Sequence, residues 1–193
     1  MKRTFSFFLA AFFSCLLFGC GERDFGYKKI SVGNINLTAE YYGYGKDSED
    51  NEDVTVCYYE SGDLSTFINY NSVTENKNPY VIKTSTVGSD GRSNNIIKLT
   101  LSFGEAEISK ILLSIETEAE HIATFYVSSF YGTEEVNKTT LTSSTANAIE
   151  IDLGSTIDSI VVYLESPKFY SNKQLNDSFQ FNYCLPYTSN GKL

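Results

Sequence analysis

IIKLTLSFGEAEISKILLSI, residues 96–115, decides the fold. Successive side chains on an extended strand point to opposite faces, so apolar residues at every second position mark a strand with one buried face. Ile97, Leu99, Leu101 and Phe103 share one face, separated by Lys98, Thr100 and Ser102. Gly104 interrupts the pattern, and Ile111, Leu113 and Ile115 resume it. Fifty residues on, the same sentence is written again. Ile151-Asp-Leu-Gly154 precedes Ile157-Asp-Ser-Ile-Val-Val-Tyr-Leu-Glu165, as Leu101-Ser-Phe-Gly104 precedes Ile108 to Glu116. Each copy reads as strand, glycine turn, strand. Two copies make two similar hairpins and fall short of a solenoid, which needs at least three repeats.

The rest of the chain carries the same texture. It holds 14 Tyr, 14 Phe, no Trp and only three Pro, a composition suited to pleated, half-buried surfaces. Strands are expected over 30–44, as one or two segments ending in a Gly43-Tyr44-Gly45 turn, and over 54–59, 80–86, 121–131, 148–153, 157–164 and 178–185. Residues 66–70 suit a further strand, with a short helix near Leu64 as the alternative. Residues 137–145 read as strand or loop, and 88–95 and 167–177 as loops. No long amphipathic helix appears. Many short strands punctuated by glycine turns predict an all-β fold, an antiparallel β-sandwich of jelly-roll type.

The N-terminus reads as an address. Lys2 and Arg3 precede an almost wholly apolar run over 5–18. That run is short of the ~20 residues a membrane-spanning helix needs, and it fits the core of a secretory signal. It ends in Leu17-Phe18-Gly19-Cys20, where polar sequence begins. This segment resembles the lipobox of bacterial lipoproteins, with Phe18 departing from the small residue usual at that place. The resemblance implies removal of residues 1–19 and lipidation of Cys20, so that palmitate-type acyl chains anchor the protein to a membrane. Residues 20–29 are then the lipidated cysteine and a short tether, and 30–193 the sandwich domain. An aspartate after the cysteine would resemble an inner-membrane retention signal. Gly21 stands there, so the expected location is the cell envelope, at the outer membrane or cell surface.

The strand pattern also has a resemblance. Strand, Leu-Gly turn and Ile-x-x-Ile-x-Leu look like the galactose-binding-like and discoidin jelly rolls, over roughly residues 54–186. A cysteine near the domain start and one in the last strand, at Phe179-Gln-Phe-Asn-Tyr-Cys184, are similar to discoidin modules. The resemblance is a hint of fold, and it transfers no functional residue. Independently, export permits disulfides. With Cys15 removed and Cys20 lipidated, Cys57 and Cys184 pair in only one way, so a Cys57–Cys184 bridge is expected.

Charge and motifs exclude several chemistries. The net charge is −9, and the signal carries away two of the 15 basic residues. Such a surface repels phosphate backbones, and no Lys/Arg cluster offsets it, so no nucleic acid is expected as partner. His121 is the only histidine, and no Gly-x-Ser-x-Gly elbow accompanies it, so the base that nucleophilic hydrolysis requires has no obvious source. Glu60, Asp63, Glu105, Glu107, Asp152 and Asp158 fall near turns without a spacing that specifies a catalytic pair. No cofactor motif occurs, and a non-enzymatic protein is expected. Asp47, Glu49, Asn51 and Asp53 alternate oxygen ligands in an acidic loop and would bind Ca²⁺ weakly at most. Glu52 and Tyr58 stand where an EF-hand has Gly and Glu, and a solvated loop is the plainer reading.

Tyrosine joins a flat apolar ring to a hydrogen-bonding tip, which suits sugars and protein interfaces. Tyr41, Tyr42 and Tyr44, beside a glycine-rich turn, are the candidate ligand-binding platform. The expectation is therefore an envelope-anchored binding or adhesion module for glycan or protein. An accessory lipoprotein of an envelope assembly is the alternative, and a glycoside hydrolase a distant third.

Overall fold

The computed structural model describes residues 25–47, 55–69, 79–87, 91–117, 124–141, 149–170 and 175–192. The elements, in chain order, are β1 Phe25–Val32, β2 Ile35–Asp47, β3 Thr55–Ser61, the short helix α1 Ser65–Ile68, β4 Tyr80–Val87, β5 Gly91–Ser102 and β6 Ile108–Thr117. They continue as β7 Thr124–Tyr131, β8 Glu134–Thr140, β9 Ile149–Ile157, β10 Ser159–Tyr170, β11 Leu175–Thr188 and β12 Gly191–Lys192. They form two antiparallel sheets. The first runs β1-β2-β5-β10-β7-β8; the second runs β3-β4-β11-β6-β9, with β12 paired to β11. The chain is an all-β antiparallel sandwich of jelly-roll type.

Alternation explains the layers. Leu37, Ala39 and Tyr41 on β2, Ile97, Leu99 and Leu101 on β5, and Ile160, Val162 and Leu164 on β10 turn inward. Ile111, Leu113 and Ile115 on β6 and Phe179, Phe181 and Cys184 on β11 meet them from the second sheet. Each fully buried Leu, Ile or Phe contributes ~1.5–3 kcal/mol of transfer free energy. Helix α1 closes the sandwich beside β11: Leu64, Phe67 and Ile68 are buried, and the Phe67 ring meets Phe181 edge-on at 5.7 Å. At the β1–β3 side, Lys28 reaches from the first sheet to Glu60 Oε2 on β3 at 3.4 Å and lies 4.9 Å from the centroid of the buried Tyr80 ring.

The two echoed segments are corners, where hairpins had been expected. β5 belongs to the first sheet and β6 to the second, while β9 belongs to the second and β10 to the first. The two corners are stitched together, because Phe103 N–H donates to the Asp158 carbonyl at 2.9 Å. Gly154, expected to turn the chain, lies inside β9 at φ +79, where the β6–β9 register shifts. The register places Ile108 opposite Ile157 but Lys110 opposite Asp152, as a bulge requires.

Other boundaries also moved. β1 begins at Phe25, so strand structure starts inside the tether expected over 20–29. Gly43, Tyr44 and Gly45 do not turn; they continue β2 opposite Asn95, Asn94 and Ser93 of β5. Residues 65–68 are helix, so the strand expected over 66–70 is replaced by the helical alternative near Leu64. β10 extends through Tyr170, into what had read as loop.

The Cys57–Cys184 bridge is not formed. Cys184 is a free, fully buried thiol. Cys57 lies opposite Ser85 of β4, and Ser85 lies opposite Asn176 of β11, eight residues along that strand from Cys184. At ~3.4 Å per residue the two cysteines are far beyond the 7 Å Cα separation that a disulfide can span. Export and pairing by elimination gave a partner; register along β11 forbids it.

Candidate functional site

Tyr41, Tyr42 and Tyr44 do not form a loop platform. All three lie in β2, and alternation separates Tyr41 from Tyr42. Tyr41 faces the core at 3% exposure, its ring centroid 5.2 Å from that of Tyr58. Tyr42 is exposed on the outer face of the first sheet. The placement of Tyr44 is described for the backbone alone, opposite Asn94. Asp47 is the last residue of β2. Glu49, Asn51, Asp53, Cys20 and His121 lie outside the described residues. Among the described residues, no group of three or more His, Cys, Asp or Glu is placed to hold a metal ion.

Several of the acids near turns have local duties. Asp63 Oδ1 accepts the Ser65 N–H at 2.9 Å, and hydrogen bonds from Ser65 hold its carboxyl below the usual range. Asp152 Oδ1 accepts the Gly154 N–H at 2.9 Å. Asp158 Oδ2 accepts the Gly132 N–H at 2.7 Å, and its Oδ1 accepts the Ser159 hydroxyl at 2.9 Å. These carboxylates fasten turns and corners.

Tyr42 points instead to the outer face of the first sheet, where antiparallel register assembles side chains from six strands. One row crosses the whole sheet: Tyr27, Glu40, Lys98, Tyr163, Tyr126 and Thr140 stand opposite one another in turn. Directly opposed side chains on one face lie ~4.5–5.5 Å apart and interact. Lys98 Nζ is 3.1 Å from Glu40 Oε2. The Tyr163 and Tyr126 rings stack with centroids 5.0 Å apart and an interplanar angle of 12°. Lys138 of β8 places its ammonium 3.7 Å from the centroid of the Tyr126 ring. The Tyr163 hydroxyl donates to Glu165 Oε2 at 3.5 Å. Burial first, then the negative charge of Glu165 and the neighbouring Tyr42 and Tyr126 hydroxyls, push the Tyr163 phenol up to about 12. Tyr42 therefore belongs to the same cluster as Tyr163. Between them Ile96, opposite both Tyr42 and Glu165, is buried on this outer face and stands apart from the core.

The next row is low. Lys29, Thr38, Thr100, Val161, Ser128 and Lys138 stand opposite one another from β1 to β8. The outer face is thus stepped: a wall of tyrosines and an ion pair rises beside a bench of Thr38, Thr100, Val161 and Ser128. Ser128 is 1% exposed, and its hydroxyl has no hydrogen-bond partner among the described residues. Because Tyr126 and Tyr163 stack along the row, each gives a ring face to the other, and Lys138 takes the second face of Tyr126. What the wall offers a ligand is ring edges, phenol hydroxyls and the Glu40–Lys98 and Glu165 charges. This is hydrogen-bonding chemistry more than ring stacking.

The alternation of 97–101, 125–127 and 162–164 already marks Lys98, Thr100, Tyr126 and Tyr163 as outward residues. What sequence could not supply is the strand order and register that bring β2, β5, β10 and β7 side by side.

No family model matches the chain, and no curated protein sequence matches it. Among solved structures, it is similar to TmCBM61, determined in complex with β-1,4-galactotriose. The TM-score is 0.34 at 12% identity, over 74% of this chain and 84% of that one. It is also similar to the family 32 carbohydrate-binding module of C. perfringens NanJ, determined in complex with galactose. There the TM-score is 0.32 at 11% identity, over 71% of this chain and 98% of that one. At such scores the likeness says nothing about a ligand.

Proposed function

We propose that the protein is an envelope lipoprotein, anchored through Cys20, whose sandwich binds a glycan on the outer face of the first sheet without transforming it. The observation that carries the binding reading is the stepped face. Tyr42, Tyr126 and Tyr163 stand on three strands beside the Glu40–Lys98 pair, above the low bench of Thr38, Thr100, Val161 and Ser128. A sugar offers hydroxyls that both donate and accept, and an apolar C–H surface. Phenol hydroxyls, carboxylates, an ammonium and threonine hydroxyls satisfy the first, and the ring edges meet the second. Anchoring suits this arrangement. β1 starts five residues after Cys20, a span of at most ~18 Å of extended chain, so the sandwich would be held close to the bilayer.

The test is a thermal-shift screen of the protein against neutral and acidic oligosaccharides. A ligand that binds only the folded state raises the melting temperature. The proposal expects a shift with at least one glycan class, and loss of that shift in Tyr163→Ala with folding retained. A hit that Tyr163→Ala and Tyr126→Ala both leave unchanged would move the site elsewhere.

A further inference from the structure

The bench row has an electrostatic feature that its low side chains make prominent. Its interior, Thr38, Thr100, Val161 and Ser128, carries no charge, and each end is a lysine: Lys29 on β1 and Lys138 on β8. Both lysines are exposed, and neither makes an ion pair among the described residues. Of the other lysines of this sheet whose side chains are described, Lys28 pairs with Glu60 and Lys98 with Glu40. Lys138 is also held. Its ammonium sits over the Tyr126 ring, and its backbone N–H donates to Asn137 Oδ1 at 2.8 Å. Its charge is thereby positioned without being neutralised by an acid. Directly across from it, the Ser128 hydroxyl is buried and has no partner among the described residues.

We infer that the glycan carries carboxylates, and that it lies along the bench across the strands with anionic groups meeting Lys138 at one end and Lys29 at the other. The inference rests on the glycan-binding reading above and adds the ligand's charge and direction. The geometry sets the length. Six strands separated by five intervals of ~4.8 Å place the two lysines ~24 Å apart, so the ligand is an oligomer and not a single sugar. The uncharged interior matches a chain whose charged groups recur at intervals, because Thr38 and Thr100 offer hydroxyls without repelling it. The chain's net charge of −9 does not prevent this. At physiological ionic strength a charge is felt over ~8 Å, and of the acids on the wall beside the bench Glu40 is paired with Lys98 and Glu165 accepts from the Tyr163 hydroxyl.

The experiment compares two oligosaccharides of equal length, an oligogalacturonate and the corresponding neutral galacto-oligosaccharide, by calorimetry on the full chain in detergent at low and physiological salt. The wild type is expected to bind the acidic chain more tightly, and the preference should shrink as salt rises. Lys138→Gln and Lys29→Gln should each weaken acidic binding roughly two- to fivefold, the range of an exposed ion pair, and narrow the preference over the neutral chain by that factor. Both lysines are exposed, so the variants should melt with the wild type, and their melting curves check this. Equal affinity for the two oligosaccharides, or lysine variants that bind the acidic one as well as the wild type does, would overturn the inference and leave the glycan reading intact. Binding of the neutral chain alone would do the same. Failure of the wild type to bind either oligosaccharide, or any glycan in the wider screen, would overturn the glycan reading and this inference together.

Discussion

Tyr163 shows how one residue links packing to the proposed site. Its phenol is raised from 10.0 to about 12, chiefly by burial and then by Glu165, Tyr42 and Tyr126. A raised pKa means the folded state holds the proton more firmly than the unfolded chain does. The stabilisation is therefore complete below about pH 10 and is lost as pH climbs through about 12. Urea midpoints measured at about pH 9 and about pH 11.5 should fall for the wild type and fall less for Tyr163→Phe, which keeps the ring and removes the titrating group. Equal losses in the two proteins would show that the cluster does not act on this hydroxyl. Cys184 is raised to about 12 by burial alone, and its thiol is fully enclosed between the sheets. Since the thiolate is the reactive form, Cys184 should resist alkylation in the native protein and react after denaturation. Peptide mapping of the labelled protein checks this, and native labelling would contradict the packing.

At the scale of elements, the sequence specified strands better than it specified their neighbours. The inward sets of β5, β6 and β10 were legible because apolar alternation has the same period wherever a strand ends up. Whether the turns after Phe103 and Ile157 made hairpins or corners was not legible. A strand continuing in its own sheet and one crossing to the facing sheet bury the same alternate residues. The Gly43-Tyr44-Gly45 segment misled for a related reason. Glycine lowers strand propensity locally, but pairing with residues 93–95 of β5 overrides it. The tyrosine platform failed on the same alternation, which sends Tyr41 into the core and Tyr42 out. At Gly62 both the backbone freedom and the missing side chain are needed. At φ +80, a Cβ there would come within 2.0 Å of the Pro79 carbonyl oxygen. Gly62→Ala combines left-handed strain with a backbone clash and should cost about 3 kcal/mol or more, separating β3 and α1 from β4. Chemical denaturation measures it, and a loss below ~1 kcal/mol would mean this turn relaxes freely.

For the whole molecule, fold and address are separate readings with separate tests. The lipid anchor rests on Leu17-Phe18-Gly19-Cys20, and Cys20→Ser should abolish lipid labelling and release the protein from membranes. Retention with the serine in place would remove the anchor from the account and leave the sandwich untouched. The binding face rests on register across six strands, which no stretch of sequence displays. Tyr126 and Tyr163 lie 37 residues apart and meet only because β7 and β10 are neighbours.

The most direct test of the central claim is an NMR titration of the tyrosine-labelled protein with the glycan that gives the largest thermal shift. Tyr42, Tyr126 and Tyr163 lie on the outer face of the first sheet, and Tyr183 and Tyr187 lie on β11 of the second. Signals of the first three should move together, with one dissociation constant, while those of Tyr183 and Tyr187 stay in place. Movement of the second set with the first unmoved would contradict the assignment of the binding face.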